Sequence, residues 1–365
     1  MDYIIAFHER AGKGDPSGSP GLEAIHSLRE VFGRDWEPDA RHPLRSKLAI
    51  SSEPSYQWLI HFVRKLREFS RISGHEPILV RLRNSDTFPS ALSEMEFALK
   101  LKRSGHSCKY VPVENAPTPD LIAEMENQLV DIEITSLNLP YEDNVGMEAL
   151  SIITMMTIQA NCVSGGLYSR VPKLSELEQV RKRAEEQIAI AKSEHKMVDL
   201  NIPGLLVCYI APNDLASAIP ESWRGSFVMR TKSPTPKTDR LAHTIEEKVK
   251  GQLSGSNPSV LVVYDRFSTT EGAQKMFNEK EIELVVGAFK NLACVVLVCP
   301  FNSWDSFPPK RADKNGRSLV EYSLPDGECE RCVIWKNIMA DHQAVTESIT
   351  NCVIDSPRNL TKLFA

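Results

Sequence analysis

The chain has 365 residues, of which 42% are hydrophobic and 25% charged, which is the composition of a globular protein large enough to bury a core of its own. Its formal net charge of −5 argues against binding to nucleic acid by bulk electrostatics, although a local basic groove or bound cations remain compatible with it. No apolar run reaches the length of a membrane span, and the stretch from Met1 to Arg10 is too polar for a signal peptide. We therefore expect a cytoplasmic protein that does not cross a membrane.

Cysteine usage points to the same compartment. Of the eight cysteines, only Cys329 and Cys332 form a CxxC pair, and no second pair follows that would complete a zinc site. Cys352 or His342 is a candidate for completing such a site, but a plain loop is the favoured interpretation.

The first part of the chain, residues 1–85, is expected to be an accessory, partly helical region. A helix is predicted over Leu22–Val31, and a short strand or an approach segment over Pro77–Leu82. Between them, apolar residues recur at helical spacing and predict a longer helix; they are Tyr56, Leu59, Ile60, Val63, Leu66 and Phe69.

The pattern becomes clearer from Pro89 onward. A helix that carries Glu94 is expected to begin at a Ser90 or Ser93 cap and to end at Gly105. Three strands then follow, of which the last two form a hairpin; they are Cys108–Val113, Asp120–Glu124 and Leu129–Thr135.

Helices and strands alternate through the rest of the central region. The predicted helices are Met147–Ile158, Leu174–Met197, Asp239–Leu253 and Lys280–Leu292, and the predicted strands are Gly204–Ile210, Ser259–Tyr264 and Ala293–Cys299. This order predicts an α/β fold, a mixed central sheet flanked by helices, over residues 86–305. We expect an irregular C-terminal extension over residues 306–365.

Three acidic residues are placed where a divalent cation can be bound. Asp120 begins the second strand and Glu133 lies in the third, so that their side chains are expected to meet across the hairpin. Glu94 lies on the preceding helix, where Glu96 is a rival and a solvated helix face is the plainer interpretation. Two close carboxylates repel each other, and a bound Mg²⁺ removes that repulsion.

The arrangement resembles the core of the PD-(D/E)XK superfamily of nucleases, which has a restriction-endonuclease-like fold; here an N-terminal helical extension would precede it. The residues that carry the resemblance are, in chain order, Glu94, Ala98, Leu101, Gly105, Pro119-Asp120 and Asp131–Thr135. The resemblance implies that Glu94, Asp120, Glu133 and the backbone carbonyl of Ile134 hold Mg²⁺ or Mn²⁺. It also implies hydrolysis of a nucleic acid, DNA being favoured, by a protein that is a candidate homodimer.

The sequence departs from that family at one position. Thr135 stands where the family has a lysine, and a threonine hydroxyl cannot supply its positive charge. Lys248, or alternatively Lys182, is a candidate for replacing it from a helix. If neither does, the fold is expected to be a catalytically inactive module that binds nucleic acid or protein.

Overall fold

The structure is a computed structural model, and it describes the greater part of the chain. The described residues are 20–33, 36, 38, 42–44, 53–112, 118–137, 149, 152–225, 227–229, 237–253, 255–265, 279–302, 310–314, 316–323 and 328–364. The chain divides into two compact units: unit 1 combines Met1–Leu137 with Pro236–Ala365, and unit 2 is Asn138–Thr235. Neither boundary expected from the sequence, at 85/86 or at 305/306, coincides with a boundary of these units.

The elements are numbered here in chain order. The strands are β1 (Ser107–Tyr110), β2 (Leu121–Met125), β3 (Gln128–Ser136), β4 (Cys162–Tyr168), β5 (Val198–Ile202), β6 (Leu206–Pro212), β7 (Phe227–Met229), β8 (Ser259–Tyr264), β9 (Leu292–Asn302), β10 (Lys310–Lys314), β11 (Arg317–Ser323) and β12 (Glu328–Lys336). The helices are α1 (Pro20–Phe32), α2 (Glu53–Phe69), α3 (Glu76–Leu82), α4 (Phe88–Arg103), α5 (Leu174–Ser193), α6 (Lys237–Gln252), α7 (Glu279–Gly287) and α8 (Gln343–Phe364). Residues 152–159 are also helical, within the predicted helix Met147–Ile158, of which 147, 148, 150 and 151 lie outside the described residues.

Unit 1 is built on one mixed sheet with the strand order β1-β2-β3-β8-β9-β12-β11-β10. The pairs β3–β8 and β8–β9 are parallel, and the other pairs are antiparallel. All six residues of β8 are buried, as is typical of a parallel strand with helices on both faces of its sheet. The expected α/β class, a mixed central sheet flanked by helices, is confirmed.

The two faces of this sheet have separate cores. Ile132 and Ile134 of β3 point into the core that contains α4, α1, α2 and α8. The opposite face, represented by Leu261 of β8, packs against α6 and α7. Residues of β3 therefore alternate between the two sides, and Glu133 lies on the side of α6.

Two expectations about secondary structure are wrong in the part of unit 1 that precedes β1. Pro77–Leu82 forms the helix α3 and no strand, because Pro77 lies in the first turn, where proline suits a helix, and Ile78 and Leu82 bury one helical face. The helix that carries Glu94 begins earlier than predicted, so that Thr87, and neither Ser90 nor Ser93, precedes its first turn.

The region after residue 305 is also more regular than expected. It contributes β10, β11 and β12 to the sheet and ends in α8, whereas an irregular extension was predicted. In β11, buried and half-buried residues alternate, because only one face of this strand is covered completely. Val345 and Ile349 of α8 join the same core as α4.

Unit 2 has a sheet of its own, with the strand order β5-β6-β4-β7. Its core combines this sheet with α5 and the helical residues 152–159. The predicted strand Gly204–Ile210 corresponds to β6, whereas β4, β5 and β7 were not predicted. Gly166 is required in β4, because a Cβ atom there would lie 2.3 Å from the carbonyl oxygen of Val207.

Among the described residues, no helix combines the length and the apolar character that a membrane span requires.

Candidate active site

The candidate site in unit 1 lies where β2 begins beside the longer strand β3. Leu121 pairs with Ile132, so that Asp120, the residue before β2, falls opposite Glu133 and on the same side of the sheet. β3 continues past this point with no β2 residue beside it. The backbone N–H of Ile134 therefore donates to Oδ2 of Asp120, at 2.8 Å, in place of a strand partner.

Asp120 and Glu133 are brought together as the sequence predicted. Their carboxyl groups share a hydrogen bond, and Glu133 is almost fully buried. Burial, followed by the charge of Asp120, raises the pKa of Glu133 to about 8. Burial also raises the pKa of Asp120, although the hydrogen bond from Ile134 opposes this. Binding of a proton or a cation by these two carboxyl groups is therefore strongly favoured.

Glu94 reaches the same site from α4 and is buried, which rules out the solvated helix face. Burial and then the charge of Asp120 raise the pKa of Glu94 to about 7. Its carboxylate is held by Arg81, whose Nη1 donates to Oε2 at 2.8 Å and whose Nη2 lies 2.8 Å from Oε1. The rival Glu96 accepts a hydrogen bond from Lys65 instead, at 3.1 Å.

Lys248 is the lysine that the structure brings to the carboxylates. It lies on α6, and its Nζ donates to Oε1 of Glu133 at 3.0 Å. Its charge also lowers the pKa of Asp120 and of Glu94, so that it lies within electrostatic reach of all three acids. Lys182 is exposed on α5 of unit 2. Thr135 is half-buried in β3, two residues after Glu133.

Sequence reasoning missed Arg81 and Gln252. The amide of Gln252 contacts both carboxylate oxygens of Glu133, and its hydrogen-bonding groups match when its nitrogen faces them. Gln252 follows Lys248 by one helical turn, so the spacing Lys248-x3-Gln252 was a signal that both share one helix face. Arg81 gave no such signal, because α3 was predicted to be a strand.

A cavity of about 470 Å³ opens at the site. Its lining includes Arg81, Glu94, Tyr110, Asp120 and Gln252. A cavity of this volume admits a group as large as one nucleotide or phosphodiester unit.

The oxygen atoms around Asp120 suit a hard divalent cation. Asp120 and Glu133 provide two carboxylates, and the carbonyl of Ile134 points to the same side as its N–H, toward Asp120. Within the described residues, no group of three or more His, Cys, Asp or Glu side chains is placed to hold a metal ion. Two carboxylates and one carbonyl fit Mg²⁺, which keeps several of its water ligands when it binds to proteins. Glu94, expected as a further ligand, is engaged by Arg81.

Comparison with known proteins gives no family for this chain: no protein-family model matches the sequence, and no curated protein matches it. The resemblance to the PD-(D/E)XK superfamily therefore rests on the residues and the geometry of this site.

Proposed function

We propose that the chain is a nuclease of the PD-(D/E)XK type that depends on Mg²⁺ or Mn²⁺ and hydrolyses phosphodiester bonds, with DNA as the favoured substrate. The observation that carries the proposal is the position of Lys248. Its ammonium group lies 3.0 Å from Glu133 and within electrostatic reach of Asp120, where it replaces the charge that Thr135 lacks. The proposal includes a cytoplasmic location and a role in defence or repair.

Each residue of the site has a distinct part in this proposal. Asp120, Glu133 and the carbonyl of Ile134 hold the divalent cation, which when bound supplies positive charge to the scissile phosphate and lowers the pKa of a water ligand. Lys248 holds a second positive charge beside Glu133, where it stabilises the attacking water in its deprotonated form. Gln252 keeps the carboxylate of Glu133 in place through its amide.

The alternative is a nuclease-like module without catalysis that binds nucleic acid or protein. It is favoured by the engagement of Glu94, the further metal ligand expected from the resemblance, with the protein cation Arg81. The two proposals differ in whether the site cuts.

Plasmid cleavage tests the proposal directly. Purified protein with supercoiled DNA is expected to nick or cut in Mg²⁺ or Mn²⁺ and not in EDTA. Asp120→Asn, Glu133→Gln and Lys248→Met are each expected to lower the rate about 100-fold or more, because each removes a charged group that acts on the reacting phosphate or water. Gel densitometry over time provides the rates.

Two exposed residues on the same elements provide matched controls: Glu124→Gln on β2 and Lys250→Met on α6 should cut as the wild type does. Cleavage that survives in both Asp120→Asn and Glu133→Gln contradicts the site. Calorimetry with Mn²⁺ separates the remaining alternative: binding that requires Asp120 and Glu133, without any cutting, identifies the inactive module.

A further inference from the structure

Arg81 lies at the edge of the site and is partly exposed. Its guanidinium makes two contacts with Glu94, and Nη2 also donates to Oγ of Ser90 at 2.9 Å. The side chain of Arg81 is 36% exposed, whereas that of Glu94 is 3% exposed. The arginine therefore presents its outer side to the cavity, and the carboxylate lies buried behind it.

Tyr110 also lines the cavity, but its hydroxyl is covered. The hydroxyl of Tyr110 is buried and has no hydrogen-bond partner within the described residues. Nearly all buried polar groups in proteins are hydrogen-bonded, and this hydroxyl is an exception; because it is covered, Arg81 is the donor that a ligand in the cavity can reach.

We propose that Arg81 binds a phosphate group of the nucleic acid in this cavity and releases Glu94 when it does so. This proposal rests on the function proposed above. A phosphate accepts the same pair of parallel hydrogen bonds from a guanidinium as a carboxylate does, so the exchange conserves the geometry of the bonds. Both residues line the cavity, but Arg81 exposes far more of its side chain to a ligand than Glu94 does.

The exchange couples phosphate binding to cation binding. When Arg81 leaves, Glu94 is a buried carboxylate beside Asp120 without its compensating charge, which is strongly unfavourable unless it takes up a proton or a cation replaces the arginine. A divalent ion at Asp120 then gains a third carboxylate in its surroundings. Nucleic acid and divalent ion are therefore expected to strengthen each other's binding.

The first part of the proposal, phosphate binding by Arg81, is tested by measuring DNA binding in Ca²⁺. Ca²⁺ takes the place of Mg²⁺ at the oxygen ligands and is chosen as an ion that does not support cleavage. Fluorescence anisotropy with a labelled DNA duplex is expected to show binding weakened about 10- to 100-fold in Arg81→Gln, the loss expected for a charge-assisted contact. Arg83→Gln, an exposed arginine two residues away that does not line the cavity, is the matched control and should bind within about twofold of the wild type.

The second part of the proposal is that DNA and Ca²⁺ strengthen each other's binding. An arginine with only a structural role would not produce this coupling. Calorimetry of Ca²⁺ binding with and without the duplex is expected to show that DNA raises the Ca²⁺ affinity of the wild type at least about fivefold. In Arg81→Gln, the same comparison is expected to give a change below about twofold. Equal coupling in both proteins overturns the exchange.

Two further variants keep the test decisive if Arg81→Gln fails to fold. The double variant Arg81→Gln/Glu94→Gln removes both charges of the pair and is expected to bind DNA as weakly as Arg81→Gln. Arg81→Lys keeps the charge without the planar pair of donors. Its affinity for DNA is expected to lie between those of Arg81→Gln and the wild type. If the wild type binds DNA and the arginine variants bind equally well, only the phosphate subsite is overturned; if the wild type binds no DNA, the proposed function fails with it.

Discussion

At the scale of single residues, Glu133 is expected to dominate the pH dependence of stability in the metal-free protein. Its pKa is about 8 in the folded chain, against an ordinary value of 4.5, because of its burial and the charge of Asp120. Between these pH values the folded state holds a proton that the unfolded state has released. The free energy of unfolding must therefore fall as pH rises from about 4.5 to about 8, and this loss is complete above pH 8.

Urea unfolding in EDTA at a series of pH values measures this effect. The wild type is expected to lose on the order of a few kcal/mol between pH 5 and pH 8, and Glu133→Gln, which cannot ionise, should lose clearly less. Added Mg²⁺ should restore stability at pH 8, since it replaces the proton between the two carboxylates. Parallel pH profiles for the two proteins would show that Glu133 is not the group responsible.

The sequence could predict the pair Asp120 and Glu133 because local rules determine it. A hairpin with a short polar turn fixes which residues face each other, and the alternation along Asp131–Thr135 puts Glu133 on the polar side. Arg81 and Gln252 could not be predicted in the same way. The position of Arg81 depends on α3 being a helix that packs beside α4, which is a tertiary property.

At the scale of elements, α4 is fixed to the sheet by a buried ion pair. Nζ of Lys100 lies 2.6 Å from Oε2 of Glu330 on β12 and donates to the hydroxyl of Tyr322 on β11, at 2.9 Å. Both charged side chains are about 5% exposed or less. The same helix carries Glu94 of the candidate site.

Removing one partner of this ion pair should lower the free energy of unfolding far more than replacing both partners. Lys100→Met is expected to lower the free energy of unfolding by about 3–5 kcal/mol, because Glu330 is left buried without its partner. Adding Glu330→Gln, which keeps an acceptor for Tyr322, should recover most of that loss. Urea unfolding of the three proteins measures both steps, and a double variant no more stable than Lys100→Met would contradict this account.

The contrast between local rules and tertiary packing also explains which elements the sequence could predict. The helices α2 and α6 and the strand β8 have strong periodicity or continuous apolar runs, so that local pattern and tertiary packing agree. The strand β11 has a half-exposed face and lies next to the edge strand β10, and its pattern is weaker for that reason. Its place in the sheet depends on the pairing of its neighbour β12 with β9, which no local rule specifies.

At the scale of the whole molecule, unit 2 is an insertion between two consecutive parts of unit 1. The chain leaves unit 1 after Leu137, at the end of β3, and returns at Pro236, just before α6. α6 then leads to β8, which pairs in parallel with β3. A β-strand, a helix and a parallel strand form a common crossover unit, and insertions between such elements are tolerated when the inserted part folds by itself.

Residues 138–235 are therefore expected to fold as an isolated fragment. The fragment has about 100 residues, within the usual range for a domain. It has its own sheet and its own cluster of buried apolar side chains, within which Thr157 and Ser164 hydrogen-bond to each other. Circular dichroism should show a single cooperative thermal transition for the fragment, and Leu206→Asp should abolish it, because Leu206 is fully buried in this core. A fragment without any transition would mean that unit 2 depends on the rest of the chain for its stability.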